Sequence, residues 1–533
     1  MHTCSVPLEA QQVEKPGMTH NDFPNASRHT ADLYPLSIPA FAQEKLSCIS
    51  RSFMQDLWTR REVVRAAGAI VASSGAMSLW PSIALAESST SGRPAVGARK
   101  FRSPAVEEYI EQTRGRIGDP ELAKLFVNCF PNTLDTTVEA GSFDGKPDTA
   151  VITGDIPAMW LRDSSAQVWP YLPLAKQDKA LGNLLAGVLQ RQARCILIDP
   201  YANAFLADLH APLRDRRPGD KTEQKPGVWE EKWELDSLCY PIRLAYGYWK
   251  QTGDTSPFDS QWKQAMALVL TTLREQQRTH GEGPYRFQQM TNISTETLPA
   301  GGYGNPVKPV GLIASGFRPS DDACIFPFLV PSNLFAVTSL RQLAELNAAV
   351  SKDRALSVEA SALADEVERA LNQYGKATTP QGTIWAYEVD GFGSQLLMDD
   401  ANVPSLLGLP YLASSPDSEL YRRTREFVWS ERNPWFFRGT AGEGTGGPHI
   451  GKDMIWPMSQ MVYALTSNSD TEIRQSLTML KSAAAATGFM HESYFKNGSS
   501  RFTRAWFAWA NTLFGELVGN LARAKPHLLR FNH

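Results

Sequence analysis

The chain has 533 residues, 42% of them hydrophobic and 20% charged, with a formal net charge of −3. That balance suits a soluble chain able to bury a large core and excludes bulk disorder. It supplies neither the basic field nor the Lys/Arg clusters that hold a nucleic-acid backbone, so nucleic acid is not an expected partner.

In chain order, the first distinctive feature is Thr59-Arg60-Arg61-Glu62-Val63-Val64-Arg65, followed by an apolar run from Ala66 to Leu79. The run is too short and too rich in Gly, Ala and Ser for a membrane-spanning helix. Ala84-Leu85-Ala86 then gives a small-x-small end suited to cleavage before Glu87. Together these resemble a bacterial twin-arginine export signal over residues 54–86, with Met54 as the start, and imply a periplasmic or extracellular protein. Residues 1–53, rich in Pro, Ser, His and Asn, then read as a disordered extension or a mis-assigned start. Residues 87–102 read as a solvated linker.

From residue 103 to 533 the apolar spacing is three and four. The runs Leu174, Leu181, Leu184, Val188; Phe258, Trp262, Met266, Val269, Leu273; Leu356, Ala360, Leu363, Val367, Leu371; and Met454, Met458, Met461, Leu465 each predict a helix face. Alternating runs are few, the clearest being Gly382 to Asp390. Long polar and aromatic loops separate the helices, at 141–168, 203–236, 291–333, 388–404 and 433–457. Loops of that length are uncommon in compact domains unless they work. The expectation is an all-α toroid of helical hairpins, with its site among the loops at one end.

Four clusters in those loops could carry chemistry. In Gly154-Asp155-Ile156-Pro157-Ala158-Met159-Trp160-Leu161-Arg162-Asp163, Trp160 offers a ring face for sugar C–H groups, and Arg162 and Asp163 offer planar groups for hydroxyls. The alternative is an Arg162–Asp163 pair inside a structural turn. In the second cluster Trp233 and Glu234 read as substrate contacts, beside Asp236 as a helix N-cap. In Ser315-Gly316-Phe317-Arg318-Pro319-Ser320-Asp321-Asp322, two adjacent aspartates in a partly buried loop resist double ionisation. A carboxyl kept protonated is what glycosidic bond cleavage needs as its acid. A helix start is the plainer alternative. The fourth cluster, Met490-His491-Glu492-Ser493 with Arg504 and Trp506, offers Glu492 as a base toward water. Asp400, Asn402 and His449 complete the candidate rim.

Other mechanisms lack their motifs. There is no G-x-S-x-G elbow and no H-E-x-x-H, and the Gly-rich runs lack the strand and lysine of a phosphate loop. Six cysteines, Cys4, Cys48, Cys129, Cys195, Cys239 and Cys324, form no C-x-x-C pair. The last four are compatible with one or two disulfides or with buried free thiols.

The segments Asp155–Ser164, Ser315–Asp322 and His491-Glu492-Ser493, with Thr503-Arg504-Ala505-Trp506-Phe507-Ala508-Trp509-Ala510-Asn511, resemble the exo-α-1,6-mannosidases of glycoside hydrolase family 125 from about residue 103 to 525. The resemblance implies an (α/α)6 toroid, no metal or other cofactor, and release of non-reducing terminal α-1,6-linked mannose with inversion. It also maps the acid to the Asp321–Asp322 pair and the base to Glu492. Inversion requires the two carboxyls to stand roughly 6.5–9.5 Å apart, with room for a water. Two other readings are an (α/α)6 enzyme for another α-linked sugar, such as glucose, and an idle carbohydrate-binding protein.

Overall fold

The computed structural model describes residues 91–214, 219–414 and 418–530. The extension and the export segment read from the sequence lie outside the described residues.

Twelve helices of eight residues or more run through the described residues: α1 Pro104–Arg114, α2 Pro120–Cys129, α3 Leu161–Val168, α4 Lys179–Ile198, α5 Leu235–Thr252, α6 Ser260–Glu275, α7 Val330–Leu346, α8 Arg354–Tyr374, α9 Ser418–Val428, α10 Pro457–Leu465, α11 Asp470–Ala483 and α12 Ala508–Ala524. Local chemistry sets their starts. Ser103, Asp119, Asp178, Asp259, Asp353 and Ser469 each accept a first-turn backbone N–H at α1, α2, α4, α6, α8 and α11. Gly253 ends α5 in the left-handed conformation that glycine adopts most cheaply.

Burial sorts the helices into two layers. Every residue of α3 is buried, and α5, α7, α10 and α12 are buried on nearly all sides. Such helices can only be internal. They touch in series, α7 against α5, α5 against α3, α3 against α12 and α12 against α10. Between α7 and α10 the chain runs through the buried turns Val403–Leu412, tied to α5 by Tyr240 Oη donating to the Val403 carbonyl at 2.9 Å and to α12 by Tyr411 Oη on Glu516 at 2.8 Å. Around this inner ring lie amphipathic helices, with α8 on α7, α11 on α10, α2 on α12 and α4 with α6.

Short strands of two to six residues lie both in the segments read as long loops and, at Ser493–Phe495 and Gly498–Thr503, beyond them. A three-stranded sheet joins β1 Ala158–Trp160, β2 Ala204–Leu206 and β3 Val228–Glu230. A second joins β4 Phe328–Leu329, β5 Glu388–Val389 and β6 Gln395–Leu396, and a third joins β7 Met454–Ile455, β8 Ser493–Phe495 and β9 Gly498–Thr503. Each brings residues distant in sequence to the ends of the inner helices.

Two expectations change. Arg162 and Asp163, read as loop residues, lie in the first turn of α3, because Trp160 closes a strand whose register with Ala204 leads directly into the helix. Part of the expected linker is fastened down: Arg93 donates to Asp135 at 2.7 Å and to Glu107 at 2.6 and 2.9 Å, with its side chain only 5% exposed. The four cysteines Cys129, Cys195, Cys239 and Cys324 are buried free thiols.

Candidate active site

The site begins with one cation. Arg162 is completely buried, and four carboxyls surround it: Glu234 at 2.5 Å, Asp321 at 3.1 Å, and Asp163 and Asp236 at 3.4 Å. The sequence alternative of an isolated Arg162–Asp163 turn is thus too small a description. Burial works against the Arg162 charge, and the carboxyls more than reverse that, raising its pKa well above the ordinary value. One guanidinium cannot balance four carboxylates in a low-dielectric interior, so the network must hold protons. Burial raises Glu234 well above the carboxylate range and raises Asp236 to about 6, with Arg162 opposing both shifts.

A second layer backs the first. Lys232 pairs with Glu296 at 2.9 Å and Glu230 at 3.4 Å, and Asn203 bridges Glu230 and Glu234 at 2.9 and 3.3 Å. Glu234, read as a substrate contact, has both oxygens occupied by Arg162, Ser237 and Asn203. Its place is in the network that holds Arg162. Trp233, also read as a contact, is a core residue: it is fully buried, its indole N–H donates to the Ala314 carbonyl at 2.8 Å, and its ring meets Tyr201 edge-on. Asp236 is not an N-cap but lies one residue inside α5.

The aspartate pair sits on a tight turn rather than at a helix start. Arg318 N donates to the Asp322 carbonyl at 2.8 Å, Asp321 N donates back to the Arg318 carbonyl at 2.9 Å, and a bridge between Phe317 and Ala323 closes the base. Asp321 adopts φ 69°, a conformation that costs a non-glycine residue energy and is tolerated where the surroundings over-determine it. The turn splits the pair. Asp321 meets Arg162, whereas Asp322 faces His449, whose Nδ1 is 3.5 Å away. Burial lowers the His449 pKa, but Asp322, with Glu492 and Asp321 behind it, more than offsets this, and the net direction is upward.

Glu492 enters from the opposite end of the sequence. The β8–β9 register pairs Ser493 with Thr503, which sets Glu492 beside Thr503 and Arg504. Its carboxylate accepts from Thr503 Oγ1 at 3.1 Å and Arg504 Nη1 at 3.4 Å, and Arg504 also grips Asp155, with Nε at 2.7 Å. His491 lies flat on Phe502, ring centroids 3.7 Å apart, and burial lowers it to about 4, so its neutral ring supports the hairpin. Trp506 is half-buried beside this group, and its carbonyl accepts from Asp155 N.

A further set of polar atoms is buried without a hydrogen-bond partner among the described residues: Arg318 Nη2, Tyr387 Oη, Asp400 Oδ2, Asn402 Oδ1 and His449 Nε2. Groups of this kind cost energy unless something hydrogen-bonds them, so their concentration marks a polar ligand site. Arg318 is aimed by Glu388, which accepts its Nε at 2.6 Å, and Asp400 Oδ1 accepts from Asn402. Tyr387 and Glu388 were missed in the sequence. Their signal was a lone acid between Tyr387 and Val389 in an otherwise apolar strand run, buried by its pairing with Leu329. Trp160, in the separate β1–β2–β3 sheet, is fully buried in a small cluster with Ile156, Ala158 and Ala204.

An acidic pair, a separately held glutamate and a lining of buried hydroxyl-binding groups inside a helical ring define a glycoside hydrolase. Residues 119–519 match the metal-independent alpha-mannosidase family (GH125), and the chain belongs to that family. It is 43% identical over 458 residues to the meiotically up-regulated gene 157 protein of Schizosaccharomyces pombe, covering 83% of this chain and 90% of that one. A solved metal-independent alpha mannosidase of Streptococcus pneumoniae, in a non-productive complex with α-1,6-mannobiose, is 39% identical, with TM-score 0.76, over 80% of this chain and 100% of that one. A bacterial glucoamylase bound to acarbose, 12% identical with TM-score 0.51 over 79% of this chain and 59% of its own, shares the (α/α)6 fold. Among the described residues, no group of three or more His, Cys, Asp or Glu is arranged to hold a metal ion, and no helix is long and apolar enough to cross a membrane.

Proposed function

We propose that the chain is an exo-acting α-1,6-mannosidase that releases non-reducing terminal mannose with inversion and needs no metal. The Asp321–Asp322 pair supplies the general acid and Glu492 the general base. The observation that carries this reading is geometric: the turn aims Asp322 at His449, 3.5 Å from its Nδ1, while Thr503 and Arg504 hold the Glu492 carboxylate separately, with Arg504 reaching across to Asp155. Glu492, oriented by Thr503 and Arg504, takes the proton of an attacking water. The acid protonates the glycosidic oxygen as the C–O bond breaks. Arg318, Asp400, Asn402 and His449 offer the donors and acceptors that fix a sugar ring, with Trp160, Trp506 and Arg504 around them. The choice of α-1,6-mannoside is supported by membership in the family and by the mannobiose bound to the pneumococcal relative. The twin-arginine motif at Arg60-Arg61, read from the sequence, supports action outside the cytoplasm as part of this proposal.

The test is substitution of each carboxyl. Glu492→Gln should lower turnover of α-1,6-mannobiose by about 10²–10⁴-fold. Asp321→Asn and Asp322→Asn should each lower it as well, but only the acid's replacement recovers on an aryl α-mannoside whose leaving group needs no proton. Wild-type turnover in Glu492→Gln would overturn the assignment.

A further inference from the structure

Away from this site, α4, the start of α6, the hairpin of strands Val138–Phe143 and Lys146–Val151, and the segment after β2 enclose a cleft of about 620 Å³. Its size lies in the range of ligand sites. Phe143 and His210 stand exposed at its rim with their rings roughly parallel. The Arg194 guanidinium covers one face of Phe143 at 4.4 Å. Inside, Arg194 Nε and Gln261 Nε2 are buried donors with no acceptor among the described residues. The charges cancel. Arg191 holds Asp148 through two bonds of 2.9 and 2.7 Å, Arg194 binds the same carboxylate, and Asp208 is the second acid on the wall.

This lining suits a neutral ligand with hydroxyl acceptors and apolar ring faces, and not a phosphate, which would need net positive charge. It is also tied to the active site. β2, which pairs Ala204 with Trp160, ends at Leu206, and the next residue, Ala207, accepts at its carbonyl from Arg191 Nη1 at 2.8 Å. On the same helix as Arg191, Gln192 donates to Ser164 and Ser165 of α3 at 3.0 and 2.8 Å, so the cleft is built on the back of the helix that braces Arg162.

We propose that this cleft is a second saccharide site, which holds a mannose-containing chain at a point remote from the sugar being cleaved. The proposal rests on the α-mannoside reading of the active site. A chain held there keeps its free ends at high local concentration near the catalytic mouth, so the gain appears on polymers and not on disaccharides.

The experiment compares the full enzyme with Phe143→Ala and Gln261→Ala, singly and together, on an unbranched α-1,6-mannan and on α-1,6-mannobiose. The double variant should lose about tenfold in kcat/KM on the polymer and stay within about twofold on mannobiose. An unchanged ratio of the two activities would overturn the proposal. So would an equal fall on both. Retardation of Glu492→Gln in gels containing the mannan, weakened when Phe143→Ala is added, reads the cleft without turnover; equal retardation refutes it. Failure of every protein to cleave mannobiose would count against the active-site reading alone, and the gel would still decide on the cleft.

Discussion

Replacing Arg162 by Met keeps the approximate shape of the side chain and removes the one cation shared by Glu234, Asp236, Asp321 and Asp163. Breaking a buried ion pair from one side costs about 3–5 kcal/mol, because the partner charge is left uncompensated. Glu234 and Asp236 have an escape, which is protonation. Asp236 already stands at about 6 and Glu234 is raised well above the carboxylate range, both mainly by burial, and without Arg162 both rise further. A carboxyl whose folded pKa exceeds its unfolded value keeps its stability below the unfolded pKa near 4 and loses it as pH rises through the folded one. The penalty should therefore be about 3–5 kcal/mol at pH 8 and smaller at pH 5 by at least ~1.4 kcal/mol, the worth of one group over one pH unit. Urea unfolding of both proteins at the two pH values measures it. A penalty equal at both pH values, or none, would refute the claim that the network is a set of charges balanced on Arg162.

Other consequences are as specific. His491, lowered to about 4 chiefly by burial, contributes stability that is fully present above its unfolded pKa near 6.5 and lost as pH falls through 4. His491→Gln should flatten the acid side of the stability profile by up to about 3 kcal/mol, read by denaturation between pH 7 and 4. At Gly154, with φ 131°, an added Cβ would sit 2.4 Å from the Trp506 carbonyl oxygen. Gly154→Ala should cost about 1–3 kcal/mol and lower kcat by disturbing Asp155 and Arg504 beside Glu492. A chain begun at residue 103 loses Arg93 from Glu107 and the buried Asp135, and should unfold about 2–3 kcal/mol earlier than one begun at residue 87. Activity should be the same with and without EDTA; an EDTA loss restored by a divalent ion would contradict the metal-free proposal.

Much of the fold was legible because helix periodicity survives in single sequences. The Phe258–Leu273 and Leu356–Leu371 spacings fall on α6 and α8. The site motifs were legible as crowded acids and aromatics in loops: Arg162 and Asp321 meet in one network, Asp322 faces His449, and Glu492 is held apart by Thr503 and Arg504. Three things were not legible. The helical setting of Arg162 was hidden because α3 is buried on all sides yet built mostly of polar residues, Arg162, Asp163, Ser164, Ser165 and Gln167, so no apolar stripe marks it. Trp233 looked like a sugar platform because a Trp among acids reads the same whether its indole meets a ligand or, as here, a backbone carbonyl across the chain. Glu388 was hidden because its role depends on strand pairing with Leu329 and on Arg318, seventy residues away, neither of which leaves a local mark.

The most direct measurement is proton NMR of the anomeric signals during the first minutes of α-1,6-mannobiose hydrolysis by residues 87–533, without added metal. The account predicts that β-mannose appears first and then mutarotates, which fixes sugar, linkage and inversion together. Early α-mannose would mean retention and contradict the assignment of Glu492 as base toward water. Absence of cleavage would contradict the α-1,6-mannoside reading itself.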